Sequence, residues 1–110
     1  MQENNQVLLT GRVSAAPVER ELPSGDRMVS MRIVVPRPQK ASDSRKQVDV
    51  IDLVAWSKST QRTATRLKPE DVIEAQGTLR RRFFQSSQGR ISRYEVELTR
   101  VKKLNPRQQA

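Results

Sequence analysis

The sequence of 110 residues predicts an all-β domain in which five strands close into a small barrel and one short helix lies between the third and fourth strands. Two observations support this fold class. Short segments rich in apolar and β-branched residues alternate with turn residues, which is typical of small barrels. One segment, residues 57–67, lacks glycine and proline and repeats its apolar and small side chains at helical spacing. Pro69 is expected to end this helix.

Three segments predict the strands that precede the helix. Residues 6–13 form the first, with Gly11 at a bend where the sheet coils. Residues 28–35 form the second, which ends because the prolines that follow cannot donate ladder hydrogen bonds. Residues 48–56 form the third. Residues 18–22 are expected to be a short extended continuation of the first strand, ended by a Pro-Ser-Gly-Asp turn.

Residues 72–98 predict a basic β-hairpin that supplies the last two strands, with its turn at residues 85–89. Side chains alternate across a strand, so Arg80, Arg82 and Phe84 share one face. Guanidiniums beside a flat ring suit a single-stranded nucleic acid, because phosphates need cations and unstacked bases need a stacking surface. The hairpin therefore predicts a strand-binding surface.

The same alternation assigns the neighbouring side chains to the opposite face of the hairpin. Arg81 is expected to point toward the rim of the barrel interior or toward a neighbouring protomer, and Phe83 is expected to pack. Tyr94 is expected to be structural. Trp56 is the only tryptophan, and its position at a strand end is compatible with rim packing or with ligand contact.

Two stretches are expected to lie outside the barrel. Residues 39–46 are polar and mostly basic without an apolar anchor, which predicts a mobile loop; a solvated connector and an arm that wraps a bound strand are both open. Residues 105–110 have nothing to bury. One domain at 1–104 with a flexible tail at 105–110 is therefore expected.

The charge and composition narrow the classes of partner. Lys and Arg total 21 against 12 Asp and Glu, and the net charge of +9 favours DNA, RNA or an anionic membrane surface. The absence of cysteine and histidine removes disulfides, thiol chemistry, the usual zinc sites and the commonest general base. No apolar run approaches the roughly 20 residues of a membrane span. A soluble cytoplasmic protein without cofactor, metal or membrane partner is expected.

Three strands, a helix and two further strands describe an oligonucleotide-binding barrel. Within that order, residues 5–13, residues 50–56 with the following Ser57 and Lys58, and residues 71–80 resemble motifs of the bacterial single-stranded DNA-binding protein family. The resemblance covers roughly residues 5–104. It implies the oligonucleotide-binding fold and a homo-oligomer, with a tetramer favoured over a dimer and the first strand pairing across protomers.

The resemblance also implies roles for individual residues. Trp56 and Phe84 match stacking aromatics, whereas Val50 stands where the family has a stacking tryptophan. The predicted nucleic-acid-binding residues are Trp56, Phe84, Arg80, Arg82, Lys58, Lys68, Arg32 and Arg37. The chain resembles a short form without the acidic C-terminal tip that recruits replication and recombination proteins.

The predicted function is sequence-tolerant binding of single-stranded DNA in replication, repair, recombination or DNA uptake, in the cytoplasm at the nucleoid. Two alternative functions remain open: an RNA-binding barrel, and an assembly module of the primosomal type that bridges other proteins. An enzyme is not expected, because Asp49 and Asp52 fall on opposite faces of a strand and no other residues build a catalytic site.

Overall fold

The structure is a computed structural model that describes residues 3–38 and 47–105. The predicted loop at 39–46 and the predicted tail beyond residue 105 lie outside the described residues. In chain order the elements are β1 (Val7–Val13), β2 (Val18–Glu21), β3 (Arg27–Pro36), β4 (Val48–Ala55), α1 (Lys58–Ala64), β5 (Val72–Ser86) and β6 (Gly89–Lys103).

Five of these strands close the predicted barrel. β1 pairs with β5, β5 with β6, β6 with β4 and β4 with β3, and the ring closes where Val13 of β1 lies opposite Ile33 of β3. The pairings are antiparallel except between β4 and β6, where Leu53 lies opposite Val96 in parallel. The prediction of a five-stranded barrel with one helix between its third and fourth strands is confirmed.

Residues 18–21 are extended, as predicted, but they form a separate strand rather than a continuation of β1. β2 makes a hairpin with β3, in which Val18 lies opposite Ser30. All four residues of β2 are exposed, and only Val18 among them is apolar. The segment therefore lacks the alternation of apolar and polar residues that would predict a strand. β2 therefore extends the sheet beyond the barrel through backbone pairing with β3.

Alternate residues of the barrel strands fill its interior, where removal of apolar surface from water stabilises the fold. The buried core residues are Val13, Val29, Met31, Ile33, Leu53, Ala55, Ala64, Leu67, Ile73, Ala75, Val96, Leu98 and Val101. At the closure, a Cβ on Gly11 would lie 2.7 Å from the carbonyl oxygen of Val34. The predicted bend at Gly11 is thus the point where β1 approaches β3 too closely for a side chain.

A bulge interrupts the ladder between β5 and β6. The register shifts between Gln76 and Gly77, and Thr99 is the extra residue on β6, with its hydroxyl donating to the carbonyl of Gln76 at 3.2 Å. A Cβ on Gly77 would collide with the backbone carbonyl of Glu97. Bulges bend a strand and increase its twist, which agrees with the bend that the wall needs here.

The helix is shorter than the predicted 57–67. The Ser57 hydroxyl caps α1 by accepting the backbone N–H of Thr60 at 3.2 Å. The helix ends at Ala64, and single-turn bonds follow, such as Leu67 N–H to the Ala64 carbonyl at 3.1 Å, so the chain leaves α1 well before Pro69. α1 packs against β3, β4 and β6. No helix in the described parts of the chain is long and apolar enough to cross a membrane.

The β5–β6 hairpin continues beyond the barrel. β1 covers the edge of β5 as far as Gly77, and the Asn5 side chain extends this pairing through two hydrogen bonds with the Leu79 backbone, at 2.8 and 2.9 Å. β4 pairs with β6 no nearer to the turn than Val96. Residues 80–95, called the ribbon below, therefore form a two-stranded projection whose strands pair only with each other among the described residues.

The ribbon turns more tightly than predicted. β5 ends at Ser86 and β6 begins at Gly89, which leaves two turn residues instead of the predicted 85–89. Gly89 has φ of 113°, a conformation that favours glycine. The Ser86 hydroxyl donates to the Gly89 carbonyl at 2.7 Å and holds the turn closed.

Candidate nucleic-acid interface

The ribbon has two faces, which follow from the pairing of β5 with β6. One face, called the outer face, continues the outside of the barrel; the other, called the inner face, continues the row of core residues of β5. The outer-face residues of the ribbon are Arg80, Arg82, Phe84, Ile91, Arg93 and Glu95. The inner-face residues are Arg81, Phe83, Gln85, Arg90, Ser92 and Tyr94.

Trp56 lies against the outer face at the base of the ribbon. It follows β4 directly, and the Arg82 guanidinium carbon lies 4.8 Å from the centroid of its ring. A guanidinium over a tryptophan face is a cation–π contact. The ring is half-buried, and its Nε1 is buried without a hydrogen-bond acceptor among the described residues. Trp56 therefore contributes a partly accessible ring beside a fixed cation.

Phe84 shares the outer face but lies further along the ribbon, opposite Ile91. The exposed fractions of these two side chains are 42% and 43%. Val50, on the outer face of β4, is exposed at 56%. The outer side of the sheet thus presents uncovered apolar side chains on the ribbon, at Phe84 and Ile91, and on β4, at Val50.

The predicted arginines of the outer face are paired with carboxylates. Arg80 Nε lies 3.0 Å from Glu97 Oε2, and Arg82 pairs with Glu95. Arg32 also lies on the outer face of the sheet, where its Nε donates to Asp52 at 2.8 Å. These six residues form three cross-strand ion pairs, which lower the local positive charge. Exposed ion pairs contribute only about 0–1 kcal/mol, so a phosphate that competes for Arg80 or Arg32 meets a small barrier. The Arg82–Glu95 pair is more buried, with side chains 34% and 14% exposed.

Arg37 is separated from the other predicted residues. It pairs with Asp49 at 2.7 Å, and Asp49 shares its side of β4 with Ile51 and Leu53 rather than with Trp56. The hydrogen bond from Arg37 to the Asp49 carboxylate, together with their charge attraction, raises the pKa of Arg37. The structure therefore does not place Arg37 on the face that carries Trp56.

The two predicted lysines flank the helix. Lys58 is the first residue of α1, two positions after Trp56, and Lys68 follows the other end of the helix. Both are exposed. Lys58 has no ion-pair partner within the described ranges, whereas the Lys68 ammonium interacts electrostatically with the Asp71 carboxylate. Lys58 is adjacent in the chain to the Trp56 ring, whereas Lys68 is a full helix length away.

The inner face carries exposed aromatic side chains that the sequence did not predict as binding residues. Phe83, for which packing was expected, is exposed at 55%, and Tyr94, for which a structural role was expected, is exposed at 60%. Both values exceed that of Phe84. The expectation of packing for Phe83 is wrong because β5 has already left the barrel at this position, so the core-facing parity points to solvent. The signal that the sequence did offer was the alternation of Arg81 with Phe83, which places a cation beside a ring on this face too.

Comparisons with known proteins agree with the barrel fold. The chain matches the single-strand binding protein family over residues 4–104. It is 29% identical over 104 residues to a single-stranded DNA-binding protein of Halalkalibacterium halodurans, covering 94% of this chain and 62% of that protein. It is 28% identical over 104 residues to single-stranded DNA-binding protein A of Bacillus subtilis, covering 94% and 60%.

The chain therefore spans about three fifths of the length of these two relatives. A solved structure, a Plasmodium falciparum SSB complex with ssDNA, superposes with a TM-score of 0.79 at 16% identity, covering 96% of this chain and 98% of that one. This likeness supports the barrel fold. Since the family match extends over nearly the whole chain, the protein belongs to the single-strand binding protein family.

Proposed function

We propose that this chain binds single-stranded DNA without sequence preference and without catalysing a reaction. Membership of the single-strand binding protein family supports this function, as do the relatives named single-stranded DNA-binding proteins. The observation that carries the proposal is the Trp56 ring held 4.8 Å from the Arg82 guanidinium at the base of a projecting basic ribbon. Aromatic stacking combined with cations is the chemistry that binds single strands.

The outer face supplies both parts of that chemistry. Bases stack on the accessible surfaces of Trp56 and Phe84, and stacking contributes about 1–3 kcal/mol per base. Phosphates pair with Arg80 and Arg82 by displacing the neighbouring glutamates, and with Lys58, which has no such competitor among the described residues. With only two rings on this face, phosphate contacts supply most of the affinity, and binding is strongly salt-dependent.

We further propose that the chain acts as a homo-oligomer, with a tetramer expected. The family resemblance supports this proposal. So does Leu8 on β1, whose apolar side chain is 63% exposed on the outside of the barrel. The expected site of action is exposed DNA in the cytoplasm, during replication, repair, recombination or DNA uptake. A molar-mass measurement by light scattering, with and without oligo(dT), tests the assembly.

The binding proposal is tested by fluorescence anisotropy with labelled oligo(dT) at several salt concentrations. We expect saturable binding whose log K falls by about 0.7 per phosphate contact for each decade of salt. Duplex DNA of the same sequence and a matched RNA strand are the competitors. Preference for RNA favours the RNA-binding alternative, and no binding to either strand favours an assembly module.

Lys102 offers a matched control. It is exposed near the end of β6 that lies away from the ribbon, and it has no ion-pair partner in the described part of the chain. Lys102→Gln removes one positive charge away from the ribbon. It is expected to leave the affinity for oligo(dT) nearly unchanged, whereas Lys58→Gln is expected to weaken binding and reduce the salt dependence by about one contact, about 0.7 in slope. Equal effects of the two substitutions would contradict binding at the outer face.

A further inference from the structure

The inner face of the ribbon holds a row of four flat groups in contact. The Arg81 guanidinium carbon lies 5.5 Å from the ring centroid of Tyr94 and 5.2 Å from that of Phe83. The Arg90 guanidinium carbon lies 4.6 Å from the same Phe83 ring. Tyr94, Arg81, Phe83 and Arg90, called the arginine–aromatic row below, thus alternate rings with guanidiniums across both strands.

The row is fixed in place before any ligand binds. Arg81 donates from Nε and from one terminal nitrogen to the Ser92 hydroxyl, at 3.2 and 3.1 Å. Ser92 lies opposite Phe83 in the ladder, so this contact holds the guanidinium beside the ring. The remaining N–H groups of Arg81 make no other hydrogen bond with the described residues. They are available to an acceptor from outside.

The charge of this face differs from that of the outer face. On the outer face of the ribbon, Arg80 and Arg82 are each paired with a glutamate, and Arg93 has no ion-pair partner among the described residues. Arg81 and Arg90 have no ion-pair partner anywhere in residues 3–38 and 47–105, and the inner face of the ribbon contains no carboxylate. The positive charge that the fold leaves uncompensated at the ribbon therefore includes two guanidiniums beside exposed rings.

We propose that the arginine–aromatic row is a second contact surface for single-stranded DNA, so that a bound strand engages both faces of the ribbon. Bases stack on rings and also on guanidinium planes, and phosphates pair with guanidiniums. A second copy of this chain fits less well, because two rows would place like charges against each other. This inference rests on the proposed function, since it assigns a further surface to the same ligand.

The chain offers one reporter on each face, because it contains a single tyrosine and a single tryptophan. Protein labelled with 3-fluorotyrosine reports on Tyr94, and protein labelled with 5-fluorotryptophan reports on Trp56. Oligo(dT) is added to each while ¹⁹F spectra are recorded, with anisotropy measured in parallel. We expect both signals to shift with the midpoint seen by anisotropy.

A binding series separates direct contact from an indirect shift. Phe83→Leu removes an exposed ring, and we expect it to weaken oligo(dT) binding about tenfold. Arg81→Gln is expected to lower the salt slope by about 0.7. The control is Gln85→Ala, on the same face but outside the row, which should bind like the unaltered chain. Thermal unfolding confirms that each variant is folded.

The outcomes distinguish this inference from the proposed function. If the unaltered chain binds oligo(dT) but Tyr94 gives no response and Phe83→Leu and Arg81→Gln bind normally, the second surface is refuted and the proposed function stands. If the Tyr94 signal changes with protein concentration in the absence of DNA, a second copy occupies the row and the inference is also overturned. Failure of the unaltered chain to bind any single strand refutes the proposed function and this inference together.

Discussion

Removal of the carboxylate beside Arg80 should strengthen DNA binding. Glu97 Oε2 lies 3.0 Å from Arg80 Nε, and the two side chains are 29% and 60% exposed. In Glu97→Gln the glutamine keeps the shape of the side chain but no longer neutralises the guanidinium. Loss of an exposed ion pair costs about 0–1 kcal/mol of stability, so the variant is expected to fold.

The size of the gain follows from the geometry of the pair. A phosphate bound to Arg80 would lie about 7 Å from the Glu97 carboxylate, if N–H···O distances are those of charge-assisted hydrogen bonds. For two unit charges at that separation, an effective dielectric constant of about 40–80 gives a repulsion of about 0.6–1.2 kcal/mol. Glu97→Gln should therefore lower the Kd for oligo(dT) about three- to eightfold.

The assay is an anisotropy titration with oligo(dT) over a range of salt concentrations. Glu19→Gln is the matched control, because it changes the net charge by the same amount. Glu19 is exposed on β2 and has no ion-pair partner among the described residues. We expect Glu97→Gln to gain more affinity than this control, and the difference to shrink at high salt because the repulsion is screened. Equal gains for the two variants, or weaker binding by Glu97→Gln, would refute the competition between carboxylate and phosphate.

Three further results are expected. Phe84→Leu should weaken oligo(dT) binding by about 1–3 kcal/mol, measured by anisotropy, without lowering the salt slope, and a lowered slope would contradict a stacking role. Gly77→Ala should lower the free energy of unfolding by at least about 2 kcal/mol in a denaturant titration, because its Cβ meets a backbone carbonyl; an unchanged midpoint would show that the bulge tolerates a side chain. The backbone N–H of Lys68 donates a hydrogen bond to the Asp71 carboxylate and holds the pKa of Asp71 below its usual value. The ionised carboxylate therefore stabilises the fold fully above its pKa in the unfolded chain, and this stabilisation is lost as the pH falls through its lower pKa in the folded chain. Asp71→Asn should make the unfolding midpoint depend less on pH in this acid range, measured by denaturant titrations at several pH values.

Much of the fold could be predicted from the sequence because period-two alternation marks strands that are buried on one side. Ile73 and Ala75 on β5, and Leu53 and Ala55 on β4, alternate as expected and lie in the core. β2 could not be predicted as a separate strand in this way, because its residues are exposed on both sides and it is held by pairing with β3. Tertiary pairing, rather than local pattern, defines that element.

The candidate site was harder to predict than the fold, because it depends on register and on where the barrel ends. The sequence could place Arg80 and Phe84 on one face, but not the pairing of Arg80 with Glu97, which is 17 positions away and lies diagonally across the ladder. It also could not show that β5 runs past the barrel, which exposes Phe83 and Tyr94. The sequence did not reveal how far β5 and β6 continue beyond their last core residues.

The single tryptophan gives the sharpest test of strand binding at the base of the ribbon. Oligo(dT) is titrated into the protein while Trp56 fluorescence is recorded, with duplex DNA as the comparison. The geometry of Trp56 and Arg82 predicts saturable quenching by the single strand, reversed by salt. Unchanged Trp56 emission at oligonucleotide concentrations that saturate binding by anisotropy would show that DNA is held elsewhere on the chain.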